Sequence, residues 1–218
     1  MGVCARKDLS LMEIINISSS YMSANSYLLV DSDTNEAAVV DPGGDAPRII
    51  YAIQSNAVRV TAILLTHGHY DHIGFAKQLA DRFNAKIVTG EKENKFLSTP
   101  TLNLSVNHNI DLPAFSADIL LNDNDSFMLG ETEIRYIQTP GHTSGGGCFI
   151  FDDTLISGDT LFCESYGRTD LPTGSNSDMY NSILRLKNLS GDYRVIPGHG
   201  PISTLDHERK YNPLMRIL

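Results

Sequence analysis

The chain has 218 residues, with 17 basic and 26 acidic side chains and a formal charge of −9. That length suits one hydrophobic core, residues 1–218 forming a single domain, and the charge speaks against a nucleic-acid backbone or an anionic membrane as partner. Cys4, Cys148 and Cys163 are too few and too scattered for a disulfide framework or a zinc knuckle. No apolar stretch follows Arg6, Lys7 and Asp8, Arg6 stands where a myristoylation signal needs Ser or Thr, and no later run approaches a membrane span, so a soluble cytoplasmic protein is expected.

In chain order, one arrangement recurs five times: a short apolar run, a tight turn, a side chain of metal-ligand type. The first run ends at Val40 and leads into Asp41-Pro42-Gly43-Gly44. Asp45 then caps a helix with Pro47 in its first turn and Ile49, Ile50 and Ile53 on one face. The second run, 62–65, leads into Thr66-His67-Gly68-His69-Tyr70-Asp71-His72, after which Ala76, Leu79, Ala80 and Phe83 repeat at helical spacing. Residues 91–125 show no clear period and read as an irregular segment with short helical pieces, forming part of a substrate mouth. Beyond it, 134–137 leads into Pro140-Gly141-His142, Leu155-Ile156 into Gly158-Asp159, and Val195-Ile196 into Pro197-Gly198-His199-Gly200. Between the last two, Met179, Ile183 and Leu186 predict a helix over 177–188, with Ser175 and Asp178 at its start. Buried strands that each deliver a ligand from one end imply a sheet edge where the chemistry converges.

Four metal-type side chains fall within the six residues from His67 to His72. In an extended loop His67 and His69 project to one side and can grip one ion, while Asp71 and His72, at a helix start, face a neighbouring one; Gly68 lets the backbone bend. His142 and His199, in two Pro-Gly-His turns, and Asp159, whose two oxygens can bridge both ions, complete the set. An isolated histidine is usually a surface or core residue, and His108 and His207 are read that way. Cys163, beside the Asp159 loop with no histidine partner in sequence, reads as a small packing residue.

Thr66 to His72 resembles the T-H-x-H-x-D-H motif of the metallo-β-lactamase-fold hydrolases. Asp41-Pro42-Gly43, Pro140-Gly141-His142-Thr143, Gly158-Asp159-Thr160-Leu161-Phe162 and Pro197-Gly198-His199-Gly200-Pro201 match the remaining motifs in the family's order, from about residue 14 onward. The resemblance implies an α/β fold, the αββα sandwich, with two mixed sheets face to face and helices outside. It implies two divalent ions, zinc first and iron or manganese as alternatives. His67, His69 and His142 would hold one, Asp71, His72 and His199 the other, and Asp159 would bridge. Asp41 is implied as the non-ligating acid that fixes a neighbouring ligand, so Asp41 and Asp71 are the carboxylates expected to serve catalysis. Two ions sharing a water lower its pKa from about 15.7 toward neutrality, providing a hydroxide nucleophile, and polarise the scissile carbonyl.

Gly167-Arg168-Thr169-Asp170-Leu171-Pro172, Ser203-Thr204, Glu208 and Asn212-Pro213 look like the short glyoxalase II-like, YcbL-type branch. The implied substrate is an S-acyl-glutathione thioester such as S-lactoylglutathione. Arg168 is then a candidate for pairing a substrate carboxylate and Tyr166 for lining the same pocket; the alternative for Arg168 is a structural turn with Asp170. No separate C-terminal helical glutathione-binding domain is expected after His199, so recognition of glutathione would be looser or different. Two other readings stay open. One is a mononuclear-iron persulfide dioxygenase using the equivalents of His67, His142 and Asp159, against which the Pro197 to Pro201 motif argues; the other is a non-catalytic binding protein braced by its metals.

Overall fold

Alternation along the strands decides the architecture. In Tyr27–Asp31, Leu28 and Val30 join one buried cluster while Tyr27 and Leu29 join another, and in Arg59–Leu65 the pair Ile63 and Leu65 parts company with Ala62 and Leu64 in the same way. A sheet buried on both faces needs cover on both.

The computed structural model describes residues 12–17 and 24–217; Cys4, Arg6, Lys7 and Asp8 lie outside them. The chain runs β1 (Met12–Asn16), β2 (Tyr27–Asp31), β3 (Glu36–Val40), α1 (Ala46–Ser55), β4 (Arg59–Leu65), α2 (Tyr70–Ile73), α3 (Ala76–Phe83), β5 (Lys86–Gly90) and β6 (Ile119–Leu121). These six strands form one sheet in sequence order, antiparallel from β1 to β3 and parallel from β3 to β6. The second half continues with β7 (Ser126–Leu129), β8 (Thr132–Gln138), β9 (Gly147–Phe151), β10 (Thr154–Gly158), a hairpin of β11 (Leu161–Phe162) and β12 (Ser165–Tyr166), α4 (Asn176–Lys187), β13 (Arg194–Pro197), β14 (Ser203–Thr204), α5 (Leu205–Tyr211) and α6 (Pro213–Ile217). Its sheet has the order β14-β13-β10-β9-β8-β7 and is antiparallel except for the β10–β13 pair.

Three cores follow from this layering. Ile49 and Ile53 of α1 and Leu79 and Ala80 of α3 cover the outer face of the first sheet, against Val39, Ile63 and Leu65. Leu29, Val40 and Leu64 meet Ile134, Tyr136, Phe149 and Ile196 between the sheets. Met179, Ile183 and Leu186 of α4, with Leu205 and Leu214, cover Ile150, Leu155 and Val195 of the second. The order of layers is helix, sheet, sheet, helix, as expected.

The capped starts of α1 and α4 form as read: Asp45 accepts from the Arg48 N–H and Ser175 from the Asp178 N–H. Residues 91–125 hold two short 3-10 helices, Glu91–Ser98 and Ser105–His108, and also β6, which the sequence reading missed because three residues are too few to show a period. No helix among the described residues is long and apolar enough to cross a membrane.

Candidate metal centre

Five strands, β3, β4, β8, β10 and β13, release their loops at one end of the sandwich, and those loops carry every predicted donor. His67 and His69 follow β4, and Asp71 and His72 open the short α2. His142 follows β8, Asp159 follows β10 and His199 follows β13. Gly198 is glycine for reasons of space: a Cβ there would lie 2.3 Å from Asp159 Oδ1 and 2.7 Å from His72 Cε1. Gly68 is also glycine for reasons of space, since a Cβ there would strike Phe96 Cβ at 2.3 Å.

The seven side chains converge. Donor atoms of His67, His69 and His142 lie within 4.8 Å of one another, as do those of Asp71, His72 and His199 and those of His67, His72 and Asp159. Asp159 stands between the sets, Oδ1 at 3.3 Å from His72 Nε2 and Oδ2 at 3.4 Å from His142 Nε2 and 3.6 Å from His199 Nε2. Asp71 Oδ2 is 3.4 Å from His199 Nε2.

This arrangement fits divalent ions on two grounds. His67 Nε2 and His69 Nε2 are buried polar atoms without a hydrogen-bond partner, a costly condition that a cation relieves. The carboxylates of Asp41, Asp71 and Asp159 also crowd a region of little exposure, where the side chains paired with them are histidines, leaving negative charge for a cation to balance.

Protonation follows the same logic. Burial and the neighbouring imidazoles hold His67 well below the ordinary histidine range and push His69 down to about 3, so both offer lone pairs. Burial also works against a charge on His72, but Asp159, Asp41 and Asp71 outweigh it and raise its proton affinity well above the ordinary value. Asp159 is held low, burial opposing and His72 and His142 prevailing. The carboxylates that attract that proton will attract a metal ion in its place.

The outer contacts fix the rings. Asp41 lies in the left-handed region at φ 44°, which a short polar side chain tolerates. Its Oδ1 accepts from the Thr66 N–H at 2.8 Å, and its Oδ2 from Thr66 Oγ1 at 2.7 Å and from His72 Nδ1 at 3.0 Å. His142 Nδ1 donates to the Arg168 carbonyl at 2.7 Å, which leaves Nε2 as the ring's lone-pair atom, facing the donor set 2.9 Å from His69 Nδ1. Asp41→Asn keeps the backbone but sets an amide against either Thr66 or His72. Metal affinity is expected to fall about 10- to 100-fold in a chelator competition, and an unchanged affinity would rule out this role for Asp41.

Glu93 escaped the sequence reading. It is fully buried beneath the site, and its Oε2 accepts from the Gly68 N–H at 2.8 Å while Oε1 accepts from Thr143 Oγ1 at 2.7 Å and the Gly145 N–H at 3.0 Å. One carboxylate thus ties the loop of His67 and His69 to the loop of His142. Burial pushes its carboxyl up from 4.5 to about 7 against the pull of these three donors.

A cavity of about 450 Å³ opens over the donors, walled by Tyr70, Leu104, His108, Phe162, Arg168 and Leu171. His108, read as an ordinary histidine, stacks on Tyr70 at 4.5 Å between ring centroids and faces this space, so residues 91–125 do reach the mouth. Arg168 makes the turn pairing with Asp170, its Nε and Nη2 donating to that carboxylate at 2.6 and 2.7 Å, and it also lines the cavity. Tyr166 is exposed on β12, and the aromatic side chain of that hairpin that walls the cavity is Phe162.

A family model, the metallo-beta-lactamase superfamily, matches residues 21–199. A probable metallo-hydrolase of Streptococcus pyogenes is 38% identical over 211 residues, covering 93% of this chain and 90% of the relative. The hydroxyacylglutathione hydrolase GloC of Haemophilus influenzae is 33% identical over 209 residues, covering 94% and 97%. Among solved structures, the BLEG-1 B3 metallo-beta-lactamase superposes with a TM-score of 0.87 at 34% identity, covering 93% of this chain and 99% of that one. With the layers, the four ligand loops and these likenesses in agreement, the chain belongs to the metallo-beta-lactamase superfamily, whose members include metal-dependent hydrolases.

Proposed function

We propose that the protein hydrolyses the thioester of a small S-acyl thiol, an S-acyl-glutathione such as S-lactoylglutathione. His67, His69 and His142 would hold one divalent ion and Asp71, His72 and His199 a second, with the Asp159 carboxylate facing both sets. The observation that carries this reading is the pair of donor sets, with His67 Nε2 and His69 Nε2 unpartnered, on the floor of one open cavity. Three-ligand sets that leave a position for water belong to catalytic rather than structural sites, which argues against a merely metal-braced binding protein. The likeness to GloC supports the substrate class, and mixed imidazole and carboxylate donors suit zinc, with iron or manganese as alternatives.

When bound, the metal pair supplies an acidified water and a Lewis acid for the carbonyl. The chain's own residues fix the geometry. Asp41 and the Arg168 carbonyl orient His72 and His142, and Glu93 keeps the two histidine loops in register. Leu104, Phe162 and Leu171 give the acyl group an apolar wall, in a space of the size that small ligands occupy. Arg168, anchored on Asp170, has N–H donors left for a carboxylate on the thiol. Asp71 acts as a ligand on the side of His199, and no serine or cysteine nucleophile is needed.

Metal content per chain, S-lactoylglutathione cleavage followed by thiol release, and an oxygen-electrode trace with glutathione persulfide test the proposal together. About two metals, thiol release and no oxygen uptake are expected. A single iron with oxygen uptake would transfer the chain to the dioxygenase reading.

A further inference from the structure

Cys163 and Glu164 form the tip of the β11–β12 hairpin, and His207 projects from the first turn of α5. The thiol sulfur, a Glu164 carboxylate oxygen and a His207 ring nitrogen lie within 4.8 Å of one another. The sequence separates Cys163 from His207 by more than forty residues, which is why neither showed a partner there.

The cluster is held from both sides. His207 Nε2 is 3.0 Å from Glu164 Oε1, its backbone N–H donates to Thr204 Oγ1 at 3.2 Å, and its ring packs on Tyr211 at 4.7 Å between centroids. Behind it, the buried Glu208 accepts from the Glu164 N–H at 2.8 Å and from Asn212 Nδ2 at 3.0 Å, and Ser203 Oγ donates to its other oxygen. The hairpin tip is thereby fixed against α5. Cys163 is a free, half-buried thiol that burial and the charges of Glu208 and Glu164 push above its ordinary pKa. Those same charges favour a cation.

We propose that Cys163, Glu164 and His207 form a second metal site, separate from the seven-residue centre, that takes one borderline-soft divalent ion of the zinc or cobalt class. Thiolate with imidazole and carboxylate selects against magnesium and calcium, and three protein donors leave the fourth tetrahedral position to water. Binding replaces the His207–Glu164 hydrogen bond, and the Cys163 proton passes to solvent as the sulfur–metal bond forms. One thiolate and one carboxylate then balance the ion's two charges. Because Phe162 of the same hairpin walls the cavity and packs on His199 at 6.0 Å between ring centroids, occupancy braces one side of the hydrolytic site.

Cobalt distinguishes the two sites, since the seven-residue centre contains only nitrogen and oxygen donors and gives no sulfur-to-cobalt charge-transfer band. Co²⁺ is titrated into intact protein, with near-ultraviolet absorption and proton release followed together. The expected result is a thiolate band saturating at one equivalent beyond those of the main centre, with one proton released. In Cys163→Ser the band disappears, in His207→Ala it needs at least about tenfold more cobalt, and in both variants the visible bands of the main centre are unchanged. Absence of the band at excess cobalt, or its persistence in Cys163→Ser, would overturn the proposal. The visible bands report folding of each variant independently.

Discussion

Asp159→Asn is expected to lower turnover by more than about 100-fold and to cut the metal retained through chelator washing, a larger effect than the loss of an outer contact such as that of Asp41. Asp159 presents one oxygen to His72 and the other to His142 and His199, so it is the residue that faces both donor sets. Asparagine keeps the shape but removes a negative charge and turns one acceptor into an N–H donor, which repels a cation wherever the amide is flipped. Loss of the charge also removes the strongest of the carboxylate attractions acting on His72. Elemental analysis beside thioester turnover measures both effects. A variant with full metal content and near-native turnover would remove Asp159 from between the sets.

The second large effect is on stability. Glu93→Ala strands the Gly68 and Gly145 N–H groups and the Thr143 hydroxyl beneath the site. Each orphaned buried donor costs about 1–3 kcal/mol, partly offset by relief of the desolvated carboxylate, so a net loss of about 3 kcal/mol is expected. For a chain of this size that lowers Tm by about 6–12 °C. A shift under about 2 °C would mean that the two histidine loops hold their register without Glu93.

Glu93→Gln isolates the titration from the packing. The folded carboxyl is raised from 4.5 to about 7, so it is protonated in both states below about 4.5 and its contribution is present in full. As pH rises the unfolded chain ionises first, and the contribution is lost up to about pH 7. Metal-free wild-type protein should therefore lose stability relative to Glu93→Gln across that window in paired denaturant titrations. A pH-independent difference would place the folded carboxyl near its ordinary value.

The donors were legible because they sit in runs that local rules explain: apolar strand, Pro or Gly turn, imidazole or carboxylate. The helices of Ile49 and Met179 were legible for the same reason, with a capping side chain in front and a stripe of buried residues behind. Glu93 was not, since Glu91-Lys92-Glu93-Asn94-Lys95 reads as a solvated charge run and only the return of the chain at Thr143 and Gly145 buries one member. His108 and the Cys163–His207 pair were hidden likewise, their neighbours being supplied by other elements. Arg168 shows a subtler limit: sequence suggested its guanidinium, whereas the contact that orients a donor histidine is made by its backbone carbonyl, which any residue carries.

Each sheet draws all its strands from one half of the chain, residues 12–121 for the first and 126–204 for the second. His67, His69, Asp71 and His72 belong to the first half, and His142, Asp159 and His199 to the second. Neither half alone offers a complete set for either ion, although each closes its own hydrogen-bond ladders. The inner face of the first sheet is covered by residues of the second half, so the docking that completes each donor set also closes the core between the sheets. A break in the backbone within 122–125 would leave two fragments joined by the core between the sheets and by the Asp31 and Glu93 carboxylates, to which bound ions would add a further clasp.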